Sequence, residues 1–288
     1  MRNVTVSATQ MSCGDNILEN IANAEKLVRQ AHSQGAQIIL LQELLETQYF
    51  CQEEKPSNFA LATSLEENLA IKHFINIAKE LKVVLPISFF ERCNKAYYNS
   101  IAVIDTDGTI LGVYRKSHIP DGPGYEEKYY FNGGDTGFIV FDTKYAKIGI
   151  GICWDQWFPE TARCLALMGA ELLFYPTAIG SEPLNSAHDT KDHWQMCMRG
   201  HAACNIIPVI TSNRIGKEVY ANSEINFYGS SFICDVDGSL IKEASRDKSE
   251  ILTAQFDLDK ITEKRASWGL FRDRRPELYT AISGLDGK

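Results

Sequence analysis

The chain has 288 residues, with 29 basic against 37 acidic side chains and a net charge of −8. Its 44% hydrophobic and 23% charged residues describe a folded chain with a sizeable core rather than a disordered one. The acidic surplus argues against a nucleic-acid partner, which needs a basic face, and no apolar run approaches the roughly 20 residues that cross a membrane.

The N-terminus alternates over Val4–Thr9 like a strand and shows no apolar signal-peptide core. Residues Ile17–His32 read as an amphipathic helix capped by Asn16, with Leu18, Ile21, Ala24, Leu27 and Val28 on one face. A buried strand is expected over Gln37–Leu41, a helix over Leu65–Leu81, and a further strand over Val83–Phe89. Asp107-Gly108 between Ile101–Ile104 and Thr109–Tyr114 predicts a hairpin, and Asp237-Gly238 between Ser231–Cys234 and Ser239–Ile241 predicts another. Strands are also expected at Phe138–Phe141, Ile148–Ile152, Glu171–Tyr175, Ile207–Thr211 and Ile251–Phe256. Helices are expected at Glu160–Met168 and around His193–Ala203. This mixture of β-α-β units and hairpins predicts an α/β sandwich of mixed sheets in one domain spanning 1–288. The charge run Arg272-Asp273-Arg274-Arg275, in the tail from Trp268, reads as a solvated or subunit-contacting extension.

Eight cysteines with no C-x-x-C pair predict reduced thiols in the cytoplasm and argue against structural zinc. Cys153 differs from the other seven. It ends the run Ile148–Ile152 and precedes Trp154-Asp155-Gln156-Trp157-Phe158-Pro159, a strand-turn-helix junction whose backbone N–H groups favour a thiolate. A cysteine at a strand end is most often a small buried hydrophobe, so the position needs partners to mean more. None of His32, His73, His118, His188, His193 and His201 lies in a peptidase-like local motif. A partly desolvated carboxylate can serve as the base instead, and Glu43 follows the strand Ile38–Leu41. Lys116 follows the second strand of the first hairpin, from which a lysine can donate to a developing oxyanion. Glu43, Lys116 and Cys153 thus each end a separate predicted strand, where ligands gather in open α/β sheets.

These segments resemble the nitrilase superfamily, carbon–nitrogen hydrolases built on a Glu-Lys-Cys triad. The likeness runs through Lys116–Tyr125, Gly151–Glu160, Tyr175–Pro183, Ser212–Glu218 and Trp268–Pro276, and covers essentially the whole chain. It implies a four-layer α-β-β-α sandwich with two mixed sheets, a dimer or larger homo-oligomer, and no metal or organic cofactor. It also implies Glu43, Lys116 and Cys153 as catalytic residues, Glu127 (rather than its neighbour Glu126) as a supporting glutamate, and the Trp154 N–H as an oxyanion donor.

Within the superfamily the resemblance points to the amidases of putrescine synthesis, which hydrolyse N-carbamoylputrescine. A substrate with a distal ammonium wants a carboxylate and aromatic walls. Asp121 and Glu182, both in loops that resemble those amidases, are the candidate anchors, with Asp189 and Asp192 weaker ones. A carbamoylated β-amino acid, the alternative substrate, would instead want an arginine, and Arg163, Arg199 and Arg214 leave that open. A Cys-His peptidase would require an essential histidine, and Gly149-x-Gly151 lacks the third glycine of a dinucleotide loop.

Overall fold

A computed structural model describes residues 1–185 and 187–287. β1 (Asn3–Gln10) leads into α1 (Ile17–Ser33), which Asn16 caps by accepting the Leu18 and Glu19 amides at 3.1 and 3.3 Å. The buried stripe of α1 runs through Ile21, Ala24, Leu27, Val28 and Ala31. Leu18, expected on that face, is 67% exposed, because at 3.6 residues per turn it falls roughly a third of a turn away from the stripe. β2 is the short Ile38–Leu40, and α2 (Leu69–Leu81) starts later than the expected Leu65. There Asn68 Oδ1 accepts the Ile71 amide at 2.9 Å and sets the first turn.

β3 (Leu85–Cys93), β4 (Ala96–Ile104) and β5 (Ile110–Arg115) form an antiparallel meander, followed by the one-turn helix α3 (Glu127–Tyr130). Then come β6 (Val140–Asp142), β7 (Lys147–Ile150), α4 (Pro159–Leu167), β8 (Leu172–Pro176), α5 (Lys191–Asn205) and β9 (Val209–Ser212). The chain finishes with the hairpin β10 (Ile215–Tyr220) and β11 (Ser223–Tyr228), then β12 (Phe232–Cys234), β13 (Leu240–Glu243), β14 (Glu250–Asp257) and α6 (Leu258–Trp268).

One sheet has the order β13-β12-β9-β8-β7-β6, parallel at its centre and antiparallel at both edges. The ladders β14-β1-β2 and β3-β4-β5 meet at the parallel bridge between Ile38 and Val84 and run on as the second sheet. Val6, Ile38, Ile101, Ile148, Phe174 and Ile210 fill the space between the two sheets. On the outer face of one sheet, α1 and α2 bury Leu27, Val28 and Phe74 against Leu85 and Ile87. On the other, α4 and α5 bury Leu165, Trp194 and Met198 against Leu173 and Val209. These three apolar layers make the expected α-β-β-α sandwich.

Phe174 is fully buried between the sheets, so Phe174→Ala leaves a cavity and is expected to cost about 3–5 kcal/mol. The urea midpoint should fall with little change in slope, and an unchanged midpoint would contradict this account of the core.

Candidate active site

The carboxyl ends of β2, β5 and β7 deliver Glu43, Lys116 and Cys153 to one region. Lys116 is fixed by its backbone: its N–H donates to the Asn99 carbonyl at 2.9 Å, and its carbonyl accepts the Gly134 N–H at 2.8 Å. A Cβ at Gly134 would lie 2.1 Å from the Arg115 carbonyl oxygen, so only glycine permits that approach.

The side chains of Glu43, Lys116 and Glu127 are all fully buried. Lys116 Nζ donates to Glu43 Oε1 at 2.9 Å and to Glu127 Oε2 at 2.6 Å. Asn99 Nδ2 donates to the same Glu43 oxygen at 2.6 Å, and the Tyr49 hydroxyl to Glu127 Oε1 at 2.7 Å. Glu43 Oε2 has no hydrogen-bond partner among the described residues. Burial opposes the Lys116 charge, but Glu127 and Glu43 outweigh it and hold the ammonium's pKa well above the ordinary lysine value. Burial pushes the Glu127 carboxyl up, against the pull of Lys116.

Cys153 opens a single turn of 3₁₀ helix, Cys153–Trp157, with φ at +42°. A non-glycine residue held there stores roughly 1–3 kcal/mol of strain, which its surroundings must over-determine. Asp155, fully buried, does most of that. Its Oδ2 accepts the Ile152 N–H at 2.9 Å and the Tyr114 hydroxyl at 2.7 Å, and its Oδ1 accepts the His118 N–H and Nδ1 at 3.0 and 2.7 Å. The His118 ring stacks on Phe158 with centroids 3.7 Å apart, which ties the turn to the start of α4.

A cavity of about 240 Å³ opens over Cys153 and is walled by Trp154, Trp157, Tyr125, Asp121 and Glu182. Glu127 also lines it, and no lysine, arginine or histidine does so among the described residues. Asp121, Glu182, Trp154 and Cys153 line this one cavity, while Glu126 stays half-exposed beside the fully buried Glu127.

Other candidates go elsewhere. Asp189 pairs with Arg246 at 2.6 Å, and Asp192 is exposed and pairs with Lys191 at 3.2 Å. Arg163 donates to the Cys204 carbonyl and Arg199 to the Gly238 carbonyl. Arg214 is fully buried against the loop that carries Glu43. Sequence reasoning missed Tyr49, Asn99 and Asp155. Only Asp155 carried a local signal, as an acidic residue able to cap the turn that starts at Cys153.

Residues 5–266 match the carbon-nitrogen hydrolase family. The chain belongs to that family. It is 59% identical to N-carbamoylputrescine amidase of Solanum lycopersicum, over 99% of this chain and 97% of that one. It is 54% identical to a citrullinase of Francisella tularensis, over 98% and 99% of the two chains. A crystal structure of a carbon-nitrogen hydrolase from Helicobacter pylori matches with a TM-score of 0.91 at 38% identity, covering 98% of this chain and 99% of that one. The family's sandwich is thus the fold built here from three apolar layers.

Burial, with the Glu43 charge adding to it, pushes the Cys153 thiol up, against the pull of Lys116. A raised pKa means a small thiolate fraction at neutral pH, so the resting residue is a thiol. Its alkylation by a small neutral reagent, followed by mass spectrometry, should keep accelerating beyond about pH 9, where an ordinary cysteine has levelled off. A plateau below that pH would contradict the burial argument.

Proposed function

We propose that this carbon-nitrogen hydrolase hydrolyses N-carbamoylputrescine to putrescine, carbon dioxide and ammonia, with Cys153 as nucleophile and Glu43 as general base and acid. The observation that carries the substrate choice is the cavity: three aromatic side chains, Asp121 and Glu182 in its lining, and no basic side chain among its described lining residues. A distal ammonium is attracted there, and a carboxylate is repelled. The Solanum lycopersicum relative, an N-carbamoylputrescine amidase, supports the same reading.

The chemistry follows from the hydrogen bonds. Glu43 Oε1 is occupied by Lys116 and Asn99, which leaves Oε2 as the oxygen that takes the Cys153 proton. Because the thiol pKa is raised, that transfer accompanies attack of Sγ on the ureido carbonyl carbon. The tetrahedral oxyanion accepts hydrogen bonds from Lys116 Nζ and the Trp154 N–H, each donor contributing about 3 kcal/mol in the transition state. As the intermediate collapses, its bond to the terminal NH₂ breaks and Glu43 returns the proton, so ammonia departs and an N-alkylcarbamoyl thioester remains. Glu43 then takes a proton from water as the water attacks that thioester. The thiol leaves with the proton, and the freed carbamic acid loses carbon dioxide to give the diamine. Glu127 acts as the supporting glutamate that fixes Lys116 between two carboxylates.

The test is ammonia release from N-carbamoylputrescine, citrulline and N-carbamoyl-β-alanine in parallel. The cationic compound should be favoured at least about 100-fold in kcat/KM, since the other two bring a carboxylate against like charge. Cys153→Ala should abolish turnover of all three. Preference for either carboxylate-bearing substrate, or turnover by Cys153→Ala, would sink the proposal.

We also propose that residues 1–288 work as one domain in the cytoplasm, where eight unpaired thiols stay reduced, and that the domain pairs with a second copy. The extension beyond Trp268 is mostly exposed, and its Arg274 and Ile282 border a groove of about 800 Å³ beside α4 and α5. Leu167 and Met196, also on that groove, are 45% and 67% exposed, and an apolar face of this extent suits an isologous contact. Light scattering should report a dimer or larger species that Met196→Glu shifts to a smaller one. A monomeric parent protein would refute the pairing.

A further inference from the structure

The dipeptide between β9 and β10 bonds two segments of the site, the cavity-lining loop at Ile179 and the loop that carries Glu43. Asn213 Nδ2 donates to the Ile179 carbonyl at 3.0 Å and its Oδ1 accepts the Ile179 N–H at 3.0 Å, which holds a cavity-lining residue next to Ala178. Arg214 turns the other way. Its Nη2 donates to the Glu43 and Leu44 carbonyls at 3.2 and 2.8 Å, and its Nη1 to the Thr47 carbonyl at 2.9 Å and to Glu218 Oε1 at 2.7 Å. Glu218 Oε2 in turn accepts the Tyr49 N–H at 2.6 Å, and the Tyr49 hydroxyl reaches Glu127.

Two features make this more than packing. The clamped loop contains Leu44 at φ +48°, a conformation that the loop must be held in. And the guanidinium bonds the backbone of the proposed base itself, then reaches the supporting glutamate through Glu218 and Tyr49. Three buried carboxylates, Glu43, Glu127 and Glu218, share two buried cations, Lys116 and Arg214. Only a planar fork of donors can span three carbonyls and a carboxylate from one position, so a lysine cannot replace it.

We propose that Arg214, with Glu218 as its anchor, is a positioning residue that holds Glu43 and Glu127 in register across Lys116, so that the base oxygen faces the Cys153 thiol. This rests on Glu43 being the base. Arg214→Lys keeps the charge and loses the fork. It is expected to lower kcat about 10- to 100-fold, with KM for N-carbamoylputrescine within about threefold, because no contact to substrate is lost.

A double-mutant cycle separates this from a merely structural role. Glu43→Asp retracts the carboxylate and should itself cut kcat. If Arg214 acts by placing Glu43, then Arg214→Lys should cost at least tenfold less in the Glu43→Asp background than alone. Glu218→Gln gives the same comparison should Arg214→Lys fail to fold, and it should also lower kcat with KM held. Multiplicative losses, or a kcat equal to that of the parent enzyme in whichever clamp variant folds, would overturn the positioning role. Full activity of Glu43→Asp would overturn instead the reading of Glu43 as base, so the two failures are told apart.

Discussion

The site depends on one ammonium held between two carboxylates with no access to water. Three charges taken from solvent cost several kcal/mol each, and mutual attraction offsets that only when the remaining polar atoms are also satisfied. Here Asn99 and Tyr49 supply those bonds on the Glu43 and Glu127 sides. The exception is Glu43 Oε2, a buried acceptor with no donor among the described residues. Leaving such an atom unpaired is unfavourable in a resting fold, and in the proposed mechanism it is the atom that takes the Cys153 proton.

Much of the fold exists to keep that triangle rigid. β2 and β5 belong to one sheet and β7 to the other, and the segments that follow their carboxyl ends bring Glu43, Lys116 and Cys153 together. Each end is then locked by a different device: a close backbone approach at Gly134 for Lys116, an aspartate cap for Cys153, and a guanidinium across three carbonyls for Glu43. The devices are independent in sequence, lying near positions 134, 155 and 214. Three separate devices thus hold the Glu43 loop, Lys116 and the strained Cys153 turn in one relative geometry.

What the sequence made legible followed local signals. Asn16 before an apolar period, and Asp-Gly between alternating runs, located α1 and the β4–β5 and β12–β13 hairpins. α6 escaped because only Leu258 and Ile261 are buried in it, so its apolar period is almost absent. The β10–β11 hairpin escaped because its turn, Ala221-Asn222, lacks the glycine that marked the others. The triad residues were visible as strand-end chemistry, and the resemblance gave them roles. Arg214 could not be read in that way. Its acceptors lie about 170 residues earlier in the chain, and from residue type alone it looked like a ligand for a substrate carboxylate.

That reassignment bears on selectivity. With Arg214 committed to the backbone, and Arg163 and Arg199 to other carbonyls, no guanidinium among those three is left to meet an anionic substrate. The net charge of −8 contributes little to this, since exposed charges are screened within about 10 Å at ordinary ionic strength. Exposed Asp121 and half-buried Glu182 both line a small cavity with aromatic walls, so a carboxylate-bearing ligand would meet like charge at close range on entry. The positive charge of the site lies beneath the cavity on Lys116, already shared by two glutamates. An ammonium at the rim and a neutral ureido group at the base therefore match the field along the cavity, and reversing the substrate's end charge would oppose it.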